Sequence, residues 1–513
     1  MSSKGPFVRE SSGLVKQVSF LDAVMINFGN MSAGVALYTG VTPNVKPGSD
    51  LVLASLIAFL LSLPQAYVYT QLMTRIPRTG GDYVWISRNL YGHIGVVMAL
   101  ILLVESTAYF ALTAFFASTA INNAFVEVGV VYHNDFLLSF GQSVDPFTSP
   151  TKAFLIGAIV FSVIVLFNIV RAKWGFTLVS VFGIVSLIGT LAAFAVVLSH
   201  MGGLNPSSPE VVNVFNATAS TTTVYTPSLA DTIYMIPFLA LFTYPWMQAG
   251  PAIAAEIKGK RALKWNVVVG LLMTFVVVTG GYAATYALAG YSNVTQLFMN
   301  TGYGNPPYFI PFTFWTAAIF LAGNEALAMI IGIGLIAWEL FILSYGVIIF
   351  SRYVFAIAFD RALPDKLAEV NPKTNSPIYT HLLDLVLTLA LLGYITYIGA
   401  NNALSLYGMT FLGALYFAFV AAAALVTSLK EGRNLVLSVA SVLMLGYFAY
   451  LTYLSATNPA FGFMLPNGSP NPLTLDFVVG AVVFSVVLYA VMYFYRKRQG
   501  IDLSMVYKLI PPE

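Results

Sequence analysis

The sequence predicts an all-α integral membrane protein of twelve transmembrane helices, arranged as a five-plus-five inverted repeat with two further helices at the C-terminal side. Three observations predict it. The 513 residues are 58% hydrophobic and only 9% charged, where a soluble domain carries about a quarter charged residues. Twelve apolar runs can cross a bilayer, at roughly 20–42, 50–73, 93–121, 152–170, 174–199, 230–257, 266–289, 326–357, 378–398, 403–428, 434–455 and 473–495. The first and sixth of these runs are interrupted by residues that open or break helices.

The first run carries Gly29, Asn30, Ser32 and Gly34 in its middle. Glycine costs helix stability and lets the backbone open. Within a membrane, an opening is tolerated only where it is buried in protein or lines a cavity. The helix that restarts beyond it presents free N–H groups and a positive dipole end, which suit an anion. Small residues also let two spans pack closely. The second interrupted run, 231–257, with Pro237, Pro245, Gly250 and Pro251, favours the opening. Broken spans in matching positions of two halves point to a transport site at the bilayer midplane.

The remaining order follows from charge and length. All but two of the 24 Lys and Arg residues, Lys46 and Lys152, fall in tails and loops of one side. The positive-inside rule then places both termini in the cytosol of a cell (cytoplasmic) membrane protein. The expected organisation is a cytosolic N-tail 1–19, spans 1–5 over 20–199, an outer loop 200–229, spans 6–10 over 230–428, spans 11 and 12 over 429–495, and a cytosolic C-tail 496–513. The N-tail leads into a span too long for a signal peptide. The sequons at Asn216, Asn293 and Asn467 fall in loops assigned outside. Two pieces do not span: 311–321 is apolar but short, a re-entrant or packed interfacial helix, and 82–91 is a short amphipathic segment. Each stands between the second and third spans of its half, on opposite faces, as an inverted repeat requires.

Composition excludes several classes. Cysteine is absent, so there is no disulfide or thiolate chemistry. Four His residues without a clustered Cys or carboxylate set argue against a metal site. No phosphate-binding G-x-x-x-x-G-K-[ST] run is present, so ATP hydrolysis is not expected. An enzyme is not expected, nor any cofactor beyond a coupling H+ or Na+. A net charge of +3 gives no reason to expect nucleic acid. The partners are the lipid bilayer and a small molecule; oligomeric state is left open.

The chain resembles permeases of the amino acid–polyamine–organocation superfamily over essentially its whole length. Met31-Ser32-Ala33-Gly34-Val35 is similar to the family's small-residue break in span 1. Pro77-Arg78-Thr79-Gly80-Gly81-Asp82-Tyr83, followed by Arg88 and Tyr91-Gly92, resembles its signature after span 2. Phe359-Asp360-Arg361-Ala362-Leu363-Pro364 resembles the loop that ends span 8. Major-facilitator transporters are less similar, because they need a long central loop. The resemblance implies a leucine-transporter-like fold with discontinuous helices 1 and 6, and secondary transport of amino acids by alternating access. Alternatives are a polyamine or amine permease or exchanger on the same fold, and a non-transporting amino acid receptor. Two departures stand out. Trp246-Met247-Gln248 occupies the place where members carry Gly-x-Glu in span 6, and Ser186 stands where proton-coupled members carry a span 5 lysine.

The candidate site follows. Asn30, Ser32, Ala33, Gly34 and Val35 would receive a substrate carboxylate, or else pack helices closely. Phe242, Thr243 and Tyr244 would offer unwound carbonyls to an ammonium together with an aromatic gate, or else belong to an ordinary proline-kinked span. Glu105 and Glu339 lie deep in spans 3 and 8, where ionisable groups are rare and usually functional. Either they couple transport to protons or Glu105 reads a cationic side chain; the bland alternative is a neutral structural acid. Ser186 and Ser344 would complete a sodium pocket, or bond back to their own helices. A proton is favoured over sodium. Glu256, Asp360 and Arg361 are expected in a solvated or gate-side ion cluster at the cytosolic mouth.

Topology is directly testable in this cysteine-free chain. A cysteine at Ser220 should react with an impermeant maleimide from outside, and one at Lys430 should not; the opposite pattern overturns the assignment.

Overall fold

The computed structural model describes residues 7–41, 44–215, 223–301, 310–430, 432 and 434–512. The sequon at Asn216 and the labelling position Ser220 lie outside the described residues. The described chain is helical throughout, with four isolated β-bridges and no named strand. Among the described residues, eleven helices are long and apolar enough to cross a membrane. Their outer faces are greasy: Ile159, Leu191, Val276, Val386 and Val483 are exposed, as lipid-facing positions must be.

Eleven differs from the expected twelve because the sixth apolar run is not one helix. Helix Leu229–Phe242 contains Pro237 and stops after 14 residues. At about 1.5 Å per residue that is roughly 21 Å, short of the hydrocarbon thickness. An irregular stretch follows, then the single turns Ala249–Ala252 and Ala254–Glu256. Pro245 has no N–H to continue a helical ladder.

The first run breaks where its small residues cluster. Helix Phe20–Asn30 starts at a reciprocal cap between Ser19 and Asp22. It ends at Met31, and Ser32 takes a left-handed conformation at φ 49°. That conformation is uncommon outside glycine. The chain restarts as Ala33–Val35 and a π-turn, Ala36–Gly40.

One span outruns its expected end: the third is Gly92–Val131, 40 residues, whereas the eighth, Glu325–Phe359, lies within two residues of the expected 326–357. Asn122 and Asn123 read as the end of an apolar run, but packing satisfies them. The Asn122 amide donates to Gly141 O at 2.9 Å and the Asn123 amide to the Tyr38 hydroxyl at 2.5 Å. The short segments also move inward. Helix Gly81–Asn89 buries Gly81 through Ser87 rather than lying amphipathically at an interface. Helix Phe314–Phe320, capped reciprocally by Thr313 and Thr316, is likewise buried and donates Trp315 Nε1 to Gly34 O at 2.9 Å.

The fifth and eighth helices cross glycine on glycine. A Cβ on Gly189 would sit 2.4 Å from Gly334 Cα, and one on Gly334 2.5 Å from Gly189 Cα. Only residues without a side chain permit that approach. Gly189→Val should therefore force the two helices apart and cost about 1–3 kcal/mol, read as a lower melting temperature in detergent. An unchanged melting curve would show that the contact does not set the helix spacing.

Candidate functional site

A cavity of about 350 Å³ opens where the two interrupted segments meet. Asn30 and Ser32 come from the first break, and Phe242, Trp246 and Gln248 from the second. One side chain joins the breaks: the Asn30 amide donates to Trp246 O at 2.8 Å and to Gln248 Oε1 at 3.1 Å. Other side chains hold the unwound backbone. Gln65 Nε2 donates to Pro245 O at 2.7 Å, and Trp246 Nε1 to Leu241 O at 2.7 Å. Asn27 accepts from Gly250 N at 2.9 Å and donates to Asn266 Oδ1 at 2.6 Å.

Among the residues expected from sequence, Asn30, Ser32, Val35, Phe242, Glu105 and Glu339 line this cavity. Ala33, Gly34, Thr243, Tyr244, Ser186 and Ser344 do not. Gly34 lies under an indole, since a Cβ there would fall 2.3 Å from the Trp338 ring. Its role is close packing, and a larger residue would strike Trp338 rather than fill the cavity. Ala33 and Thr243 are fully buried, and Tyr244 turns away to meet Ser55 Oγ at 2.6 Å. Ser186 Oγ donates to Gly183 O at 2.9 Å and Ser344 Oγ to Phe341 O at 2.8 Å, so both hydroxyls bond back to their own helices.

Several lining residues escaped the sequence reading. Tyr109 follows Glu105 by four positions and shares its helical face, a signal that was available. Trp246 and Gln248 stood out as departures from the family break without being placed in the site. Tyr345, whose hydroxyl lies 3.5 Å from Ser32 Oγ, and Phe461 carried no local signal.

The cavity wall reaches Gly40, Phe147, Leu404 and Phe461, toward the end of the bundle away from the termini. The end that carries the termini is closed by buried polar groups. Glu256 accepts from Arg352 Nε at 2.7 Å and Nη2 at 3.0 Å, with both side chains buried. Asp360 accepts from Arg88 Nη2 at 2.7 Å and from the Tyr83 hydroxyl at 2.6 Å. Arg361 instead donates to Phe7 O at 2.7 Å. The expected solvated or gate-side cluster of Glu256, Asp360 and Arg361 is thus not solvated and not one cluster: it is two separate buried pairs and an arginine tied to the N-terminal segment. Asp82 accepts from the Tyr69 and Tyr416 hydroxyls, each at 2.9 Å, from Tyr353, and from Tyr83 N at 3.0 Å.

Both tails cross this closed end. Val18 N donates to Glu256 O at 3.0 Å and Lys258 N to Val18 O at 2.9 Å. Arg88 Nε donates to Leu509 O at 3.2 Å, and Arg78 Nε to Pro511 O at 2.6 Å. Burial alone would weaken the Arg88 guanidinium's hold on its proton, but Asp360 beside it reverses the effect and raises its pKa. No group of three or more His, Cys, Asp or Glu residues able to hold a metal occurs among the described residues.

Residues 18–508 match the model of a family described as amino acid permease. The chain is also similar to Uncharacterized protein 399 of Sulfolobus islandicus rod-shaped virus 1. The two are 21% identical over 499 residues, which cover 96% of this chain and 98% of that protein.

Asp82 predicts a pH effect. Burial pushes its carboxyl up from an ordinary 3.8 to about 6, against the pull of its hydrogen-bond donors. A raised folded-state value means that the folded protein holds a proton the unfolded chain has lost. This contribution to stability is present at low pH and is lost as pH rises through about 4 to 6. Between about pH 4 and pH 7 the wild type should lose up to about 3 kcal/mol relative to Asp82→Asn, measured as paired melting curves. Curves that stay parallel across this range would contradict it.

Proposed function

We propose that this chain, which belongs to the amino acid permease family, carries amino acids or related amines across the cytoplasmic membrane as a secondary transporter working by alternating access. The observation that carries the proposal is the cavity at the junction of two broken helices, extending toward one end while buried ion pairs close the other. A permeation pore needs a continuous path, whereas a carrier needs one closed side at a time. In this reading a substrate carboxylate sits against the first break, where Asn30 and Ser32 line the cavity. Glu105, Glu339 and the exposed face of the unwound segment around Trp246 face its ammonium. In this reading the pieces Leu229–Phe242 and 249–256 together make a sixth crossing. The twelve crossings form two inverted five-helix repeats with two additional helices.

The tails support a cytosolic placement of both termini. They share one end of the bundle, where Arg361 donates to Phe7 O and accepts Arg496 Nε at 2.8 Å through its own carbonyl. That end carries the basic loops. The closed side is then cytosolic and the cavity faces out.

The coupling ion in this proposal is the proton. Ser186 and Ser344 stand outside the cavity lining, whereas Glu105 and Glu339 belong to it. Glu105 has a carboxylate oxygen without a hydrogen-bond partner at the cavity wall.

Uptake into proteoliposomes tests this reading against a non-transporting receptor. Labelled amino acid or amine should accumulate under an imposed pH gradient and ignore a sodium gradient. Glu105→Gln should abolish the response to pH. Asn30→Ala, which unties the two breaks, should weaken apparent affinity about tenfold, the equivalent of about 1.4 kcal/mol. Binding without accumulation would favour the receptor, and uptake that follows sodium would refute the proton assignment.

A further inference from the structure

The cavity holds two acids and no base. Glu105, on the third span, is 3% exposed, and Glu339, on the eighth, is 7% exposed. Oε2 of Glu105 has no hydrogen-bond partner, and no salt bridge reaches either residue among the described residues. The other titratable groups lining the cavity are Tyr38, Tyr109, Tyr345 and Tyr407. No Lys, Arg, His or Asp lines it among the described residues. The arginines at the closed end, Arg88 and Arg352, are committed to Asp360 and Glu256.

Tyr109 lies one helical turn beyond Glu105 on the same face, and it lines the same cavity as both acids. Trp246 borders Glu105 from the other side: a Cβ at Gly413 would sit 2.7 Å from the indole and 3.5 Å from Glu105 Oε1. The acids are thus set among π-faces, which attract ammonium and guanidinium groups. An uncompensated carboxylate in such a place is costly, so it either holds a proton or meets a cation.

We propose that Glu105 and Glu339 form an exchange site at which protons and a cationic cargo compete, so that binding of a basic amino acid or diamine expels a proton. The proposal rests on the permease reading of the cavity. It assigns that cavity a class of cargo and a stoichiometric partner. The step balances simply: an alkylammonium meets a protonated carboxyl, an ammonium–carboxylate pair forms, and one H+ leaves through the cavity mouth. No carbon bond changes and nothing is oxidised or reduced. Two carboxylates match two positive centres. Transport of the cation then runs against protons, driven by an acid interior.

Calorimetry on the full chain in lipid nanodiscs tests this. L-Lysine, L-arginine, putrescine and L-leucine are titrated at pH 7 in two buffers of different ionisation enthalpy. For the three cationic compounds the heat should differ between buffers, as release of a proton requires. Leucine, which brings one ammonium and no net charge, should bind at least about tenfold more weakly. Glu105→Gln and Glu339→Gln, which conserve shape, should each weaken lysine binding at least about tenfold, and the double variant should lose the buffer dependence. Equal heats for lysine in both buffers, or leucine binding as tightly as lysine, would overturn the exchange site. The wild-type comparison decides this even if a variant fails to fold. Leucine bound equally by wild type and double variant would sink the exchange site while the permease reading stands. Folded wild type that binds none of the four compounds would end both.

Discussion

Opening a helix where water is scarce strands backbone N–H and C=O groups, and the centre of this protein is arranged to meet them. The carbonyls of Leu241, Pro245 and Trp246 are met by the Trp246 indole, the Gln65 amide and the Asn30 amide. Gly34 O is met by the Trp315 indole, and Gly250 N by Asn27. Apart from the Trp246 indole, these partners come from distant parts of the chain, so the broken segments depend on the assembled bundle. The cavity is the space these partners leave between them. Its shape follows from backbone satisfaction before any ligand is considered.

The electrostatics divide the molecule into two regimes. At the end that carries the termini, three buried acids have their donors: Glu256 has Arg352, Asp360 has Arg88 and Tyr83, and Asp82 has three tyrosine hydroxyls. Breaking such a pair leaves a charge without compensation, which costs far more than the pair contributes. In the cavity, Glu105 and Glu339 have no such partner among the described residues. One end is built to stay shut against charge imbalance, and the other is left to be completed from outside.

Much of this was legible in the sequence, unevenly. The spans show because apolar length is a local property, and the break in span 6 shows because prolines announce it. The end of span 3 was misjudged because Asn122 and Asn123 look like a helix exit when their partners, Gly141 and Tyr38, are unknown. At the first break, smallness served two purposes that sequence cannot separate: Ser32 opens the backbone, whereas Gly34 admits the Trp338 ring. Glu105 and Glu339 were visible because acids are conspicuous in apolar runs. The Asp82 cage was not, since its donors Tyr353 and Tyr416 stand 271 and 334 positions away. Burial of the Gly81–Asn89 helix was hidden for the same reason.

The carbonyls of Leu509 and Pro511, which clasp Arg88 and Arg78, belong to residues that leave the ribosome after every span. The two latches therefore form only after the last span has been made. Until then the closed end is held by the N-terminal segment and by the Glu256–Arg352 and Asp360–Arg88 pairs.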